Sequence, residues 1–590
     1  MSKYLLATLV IFCSSLTEVN SITVSTKYGD IEGFVTSYPN VSGPFKSVSK
    51  FLGIPYADPP TGELRFQAPQ PLKEWKPSVR SVKNHGPICW QGKGFEFVTK
   101  LFVQNFTYSE DCLYLDIYSP NVSSSLPVMF YIHGGGYELG SSITYPGDIL
   151  SLQGVVVVVI QYRLGPFGFF TTGDSAAPGN YGMLDQVEAL KWVNENIEKF
   201  GGNANKVTIF GASAGGLSVS LQVLSPLSKD LFHQAIAESG VDLSPQAMQP
   251  TSLAVTHAKS LAERLACPVS DHDKMVTCIR DKTPTEIMAA SAAANFEFVD
   301  HPHWSPVVDK NFLPDSPQNL RRKGEFNKVT LMVSFNSDEG AGAVGIMANY
   351  SYVGLMQSVE NGVSKSFFKT FLAKFAQVRE SRKETAALIA DAMEFMYTPW
   401  PDNSDESALR SQLVDLLSDY YYFAASHEVA DSHSQFAPVY MYEFAHRSIF
   451  SLSPKWVGVD HGTNAPYDFG NPLKPVAPFR FSEADKNVSL FIMASYKNFA
   501  SSGDPSPQPL SGVTWEKYNS SHRAYLRVDA NPRMAAAFNP RRMAFWNDYY
   551  PKLRDVDFDN KKDVASTSTR MAMAVFSQIA FLIISAIFKM

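Results

Sequence analysis

Gly211-Ala212-Ser213-Ala214-Gly215 lies between the apolar run 207–210 and a stretch compatible with a helix. A serine at a sharp strand-to-helix turn is held in a strained backbone with its hydroxyl pointing outward, and glycines two positions either side leave room for the turn. The pentapeptide therefore reads as a nucleophile elbow. By itself the pattern arises by chance in long chains, so its weight depends on whether partners are present. A serine nucleophile needs a base to take its proton, an acid to orient that base, and amide donors for the oxyanion that forms.

Each partner has a candidate. Upstream, the strand-like run 127–132 enters His133-Gly134-Gly135-Gly136-Tyr137, a loop whose missing side chains let backbone N–H groups approach a substrate oxygen. Gly135 and Gly136, with Ala214 after the serine, are the candidate oxyanion donors. Downstream, the apolar run 329–335 ends in Asn336-Ser337-Asp338-Glu339-Gly340. Either carboxylate there can accept a hydrogen bond from imidazole Nδ1–H, and the residues alone leave both open. Last comes Gly458-Val459-Asp460-His461-Gly462-Thr463, a loop of turn formers. Of the chain's 12 histidines, His461 is the best placed. The order serine, acid, histidine points to two-step acyl transfer through an acyl-enzyme.

The elements that must position these groups alternate. A strand-like run at 155–160, a helix-like run at 185–200 and a strand-like run at 207–210 predict a mainly parallel sheet with helices on both faces, an α/β fold. Its site is expected at the carboxyl ends of the strands. No linker divides the chain, so residues 22–558 are expected to form one large domain.

Composition bounds the rest. Of 590 residues 45% are hydrophobic, enough for a large core, and a net charge of -6 argues against a general nucleic-acid binder. No cysteine or histidine cluster suggests a metal, and no cofactor is called for. Lys3, the apolar stretch 4–13 and Val19-Asn20-Ser21 read as a signal peptide over 1–21, cleaved after Ser21. Its removal takes Cys13 and leaves Cys89, Cys112, Cys267 and Cys278, an even number suited to an oxidising compartment. Sequons begin at Asn40, Asn105, Asn121, Asn349, Asn487 and Asn519. At the other end, residues 559–570 form a polar spacer before the apolar run 571–588. That pattern is expected to be a GPI-attachment signal, with a single-pass span as the alternative. Either would hold the protein at the outer face of the plasma membrane.

Many further pieces occur in order: Phe51-Leu52-Gly53-Ile54-Pro55-Tyr56-Ala57, Ser109-Glu110-Asp111-Cys112-Leu113-Tyr114-Leu115, Gln161-Tyr162-Arg163-Leu164-Gly165-Pro166, Gly179-Asn180-Tyr181-Gly182 and Phe200-Gly201-Gly202-Asn203. With the elbow, they make the chain resemble the type-B carboxylesterase and cholinesterase family of α/β-hydrolases from about Thr23 to Tyr550. The resemblance implies Ser213, Glu339 and His461 as the triad, with Glu339 preferred to Asp338. It also implies disulfides Cys89–Cys112 and Cys267–Cys278, and ion pairs Arg65–Glu110 and Arg163–Asp185. A small-molecule ester is the implied partner, and oligomeric state is left open.

Two positions depart from the family. Ala212 and Asn464 stand where relatives carry acidic residues near the catalytic histidine, and the loop from Cys89 to Cys112 has only Trp90, with Phe102 nearer the place of a choline-binding tryptophan. Less negative charge should favour neutral over choline esters. Phe296, Phe298 and Trp304 are candidates to line the substrate pocket. A competing expectation is a neuroligin-like adhesion ectodomain, since the fold is also used by catalytically dead binding proteins.

Overall fold

The structure is a computed structural model that describes residues 20–92, 96–292, 303–349, 358–451, 453–475 and 479–556. The C-terminal apolar run, nearly all of the expected signal peptide, and Phe296 and Phe298 lie outside the described residues. No helix among the described residues is long and apolar enough to cross a membrane.

A large mixed sheet organises the chain. Its first part is β1 (Ser21–Ser25), β2 (Asp30–Ser37), β3 (Ser47–Pro55) and β4 (Val79–Ser81). Two short strands, β5 (Ile88–Cys89) and β6 (Tyr108–Ser109), pair apart from it. Then come β7 (Tyr114–Ser119), β8 (Leu126–Ile132), β9 (Val156–Ile160), β10 (Gly202–Ala212) and β11 (Gln234–Glu238). The last four are β12 (Thr330–Asn336), β13 (Val439–Phe444), β14 (Ala524–Val528) and β15 (Arg533–Ala536). The order is β1-β2-β3-β7-β9-β8-β10-β11-β12-β13-β14-β15, with β4 beside β2. The middle, from β9 to β14, is parallel throughout, and antiparallel pairs flank it.

β9 shows why the middle is buried on both faces. Val156, Val158 and Ile160 enter one core, while Val157 and Val159 enter the other. A run of five apolar residues with no polar alternation is what a parallel strand covered on both sides requires. On one side lie the helices Tyr181–Asn196 and Ala214–Leu224; on the other lies Glu483–Ser502. The last of these starts with a capping box, Ser482 with Asp485, and stops at Gly503.

Ser21 opens β1 and pairs with Phe34, so cleavage after Ser21 would trim the first residue of that strand. Cys89–Cys112 and Cys267–Cys278 are bridged. Arg65–Glu110 and Arg163–Asp185 are bidentate pairs, and the second is shut from solvent, with side chains 4% and 0% exposed. Trp304 is a core residue at 2% exposure, its indole donating to Ser291 Oγ, so it does not line an open pocket. Among the sequons, Asn40, Asn105, Asn121, Asn487 and Asn519 are exposed, and the side chain of Asn349 lies outside the described residues.

Candidate active site

Because β8, β10, β11, β12 and β13 run parallel, their carboxyl ends open on one edge of the sheet. The triad and oxyanion candidates each follow one of those ends. β10 leads directly into Ser213, which adopts φ 60° and ψ -127° before the helix Ala214–Leu224 begins. A non-glycine residue there is strained, and the surroundings must hold it. They do so by hydrogen bonds and by close packing. Ser213 N–H donates to Glu238 O at 2.9 Å, and its carbonyl accepts from Leu217 N–H at 2.9 Å. A Cβ on Gly215 would collide with the Ile132 carbonyl oxygen, so only glycine lets the new helix cross so near β8.

The loop after β8 comes equally close. A Cβ on Gly134 would stand 2.5 Å from Ala212 O and 3.0 Å from Ser213 Cβ. His133 beneath it is buried, stacks on Tyr162 at 4.5 Å and has Nδ1 2.9 Å from Gly134 O. Burial holds its imidazole down at about 4, hence neutral. Gly135 and Gly136 have φ of 115° and 63°. The amides of Gly135, Gly136 and Ala214 make no backbone hydrogen bond among the described residues. Such donors are available to an incoming oxygen.

Opposite stands the imidazole. His461 Nδ1 lies 2.5 Å from Glu339 Oε2, and Glu339 is 2% exposed. The other oxygen, Oε1, accepts from Ser239 Oγ at 2.5 Å and from Asn336 N–H at 2.7 Å. Three donors thus fix the carboxylate in place. Asp338 turns elsewhere: its Oδ2 accepts from Val459 N–H at 2.9 Å and from Ser337 Oγ at 2.6 Å, tying the acid loop to the histidine loop. Burial disfavours the His461 cation, but the facing Glu339 charge and hydrogen bond outweigh it, and the imidazole is raised above its ordinary value. The Tyr422 ring packs 5.0 Å from the His461 ring, and 28% of the histidine side chain reaches solvent. With Nδ1 engaged, Nε2 is the nitrogen left to exchange a proton with a hydroxyl.

Ser239, Asn336 and Tyr422 are contacts that reading the sequence missed. Ser239 had a signal, since it follows β11 at the same sheet edge and sits at φ 51° before Gly240. Tyr422 had none, because it arrives on a π-helical turn, Asp419–Phe423, whose register does not follow the 3.6-residue period. Ala212 is buried at the end of β10, and Asn464 is buried, its side chain accepting from Asn336 Nδ2 and donating to the Asp468 carboxyl. Trp90 stacks on Tyr108, and Phe102 closes the helix Glu96–Phe102. No cluster of three metal-ligating side chains occurs among the described residues.

Known proteins share this plan. The model of the carboxylesterase family matches residues 20–546. Carboxylesterase 1D of Rattus norvegicus is 36% identical over 556 residues, covering 90% of this chain and 93% of that protein. Neuroligin-2 of Mus musculus is 33% identical over 614 residues, covering 94% of this chain and 70% of its own. Neuroligin-3 of Homo sapiens is 32% identical over 616 residues, covering 91% and 70%. By sheet, by strand-end loops and by these matches along nearly its whole length, the chain belongs to the carboxylesterase family, with its α/β-hydrolase fold.

Proposed function

We propose that this protein is a serine hydrolase of neutral carboxylic esters, with Ser213 as nucleophile, His461 as base and Glu339 as the acid that orients it. The observation that carries the reading is the Glu339–His461 contact, braced by Ser239 and Asn336, on the sheet edge where Ser213 stands in a strained turn. In the first step Ser213 Oγ attacks the ester carbonyl while His461 Nε2 takes its proton; the oxyanion is received by the amides of Gly135, Gly136 and Ala214. His461 then protonates the departing alcohol. In the second step it activates a water that releases the acid. Glu339 stays ionised and stabilises the imidazolium.

Ala212 and Asn464 supply no charge beside His461, which is the reason to expect neutral substrates. Turnover of a choline ester equal to that of a neutral ester with the same acyl group would contradict this part. We further propose passage through the secretory pathway and a membrane anchor in 559–590, on the signal-like N-terminus, the two disulfides and the exposed sequons. A second reading, a cell-surface binding protein, draws support from the neuroligin matches.

A fluorophosphonate that labels active serines separates the two. Labelling together with hydrolysis of short neutral esters, both lost in Ser213→Ala, is the expected result. Well-folded protein that neither labels nor turns over would favour the binding reading.

A further inference from the structure

Behind the elbow, on the sheet face away from the helix Ala214–Leu224, two carboxyl groups are buried close together. Glu238 ends β11, and Asp468 ends the short helix Ala465–Asp468 after the histidine loop. They are 0% and 1% exposed. Glu238 Oε1 accepts from the Tyr442 hydroxyl at 3.2 Å and from that of Tyr496. Asp468 Oδ2 accepts from Asn464 Nδ2 at 3.1 Å. Among the described residues, Glu238 Oε2 and Asp468 Oδ1, both buried, have no hydrogen-bond partner, and the Tyr131 hydroxyl beside them is engaged by that of Tyr145.

The groups facing this pair are Tyr131 from β8, Tyr145 from the loop after it, Tyr442 from β13, Tyr496 from the helix Glu483–Ser502, and Asn464. Among the described residues, no lysine, arginine or histidine acts on either carboxyl. Two carboxylates shut from water without a counter-charge are strongly disfavoured. A proton on each removes the charge and turns an unpaired oxygen into a donor. Burial accordingly pushes Glu238 up to about 8, and burial with the neighbouring Glu238 raises Asp468 well above the carboxylate range.

From Asp468 a continuous set of contacts leads to the site. Asn464 Oδ1 accepts from Asn336 Nδ2 at 3.3 Å, and Asn336 N–H donates to Glu339 Oε1 at 2.7 Å. We propose that Glu238 and Asp468 are held as a pair of neutral carboxylic acids and serve as positioning residues which, through Asn464 and Asn336, keep Glu339 on His461. The consequence for catalysis rests on the hydrolase reading; the pair itself does not. Acidic groups are thus present near Ala212 and Asn464, but one layer back and uncharged at neutral pH. Ionisation at alkaline pH places negative charge behind Glu339 and alters the surroundings of His461.

Two measurements on the intact chain test this without using turnover. Infrared difference spectra at pH 7, wild type minus Glu238→Gln and wild type minus Asp468→Asn, should each show a protonated-carboxyl band that fades as pH rises, and the double variant should lose both. The carboxyl of Asp419, which burial raises to about 7, is common to all four proteins and cancels. No such band in either difference spectrum overturns the neutral pair. NMR titration of the His461 ring, assigned with His461→Asn, should show a second alkaline inflection that either conservative variant removes. An identical His461 titration in wild type and both variants overturns the positioning role. Should one variant fail to fold, the other decides both arms. Failure of the hydrolase reading is registered separately, as absence of ester turnover, and leaves both spectra readable.

Discussion

At the scale of single residues, the division of labour between Asp338 and Glu339 is set by one position along the chain. Both follow β12, yet Glu339 faces His461 Nδ1 and Asp338 faces the Val459 amide. Replacing Glu339 by Gln should lower kcat by about 10⁴-fold, because the amide favours the wrong imidazole tautomer and no longer stabilises the imidazolium. Asp338→Asn keeps an acceptor for Val459 and should cost far less turnover, and steady-state kinetics of the two variants compares them directly. Ser213→Ala should lower turnover by about 10³ to 10⁶-fold. The raised His461 value has a sign that can be checked. The base must be neutral to act, so kcat/KM should fall as pH drops through a value above the ordinary 6.5, and a profile whose acidic limb lies below 6.5 would contradict the Glu339–His461 coupling.

At the scale of elements, the strand ends carry the site, and they were the most legible part of the sequence. The elbow and the glycine loop each announce themselves by turn formers after an apolar run, and the histidine loop by its turn formers alone. The choice between Asp338 and Glu339 was not legible from spacing, since it depends on how the chain leaves β12. The helix Ala214–Leu224 was legible only as compatible, because every residue in it is buried and no polar face marks the period. Glu238 and Asp468 escaped notice because a buried acid looks the same in sequence as a solvated one. Two element-level outcomes follow from close packing. Gly215→Ala should displace the elbow against Ile132, abolishing labelling of Ser213 while circular dichroism still reports a folded sheet. Arg163→Met leaves Asp185 buried and unpaired, and should cost about 3–5 kcal/mol in denaturant melts, without a specific effect on the chemistry of the protein that remains folded.

At the scale of the whole molecule, the formal net charge is only -6, while the interior holds ionisable groups whose protonation is tied to folding. Glu238 is the clearest case. Unfolded, it titrates near the ordinary 4.5; folded, it is pushed up to about 8 by burial. Between those values the folded chain binds a proton that the unfolded chain has released. Stability therefore falls as pH rises through the window, since the slope follows the difference in protons bound. His461, also raised on folding, works in the same direction from 6.5 upward, so a single melting curve cannot separate the two. The difference between wild type and Glu238→Gln can, because glutamine keeps an acceptor for Tyr442 and Tyr496 but has no proton to lose. The melting temperature of the wild type relative to that variant should decline steadily from about pH 4.5 to about pH 8 and level off beyond. A constant difference across that range would mean that Glu238 titrates alike in the folded and unfolded chain, and that its burial is not what keeps it protonated.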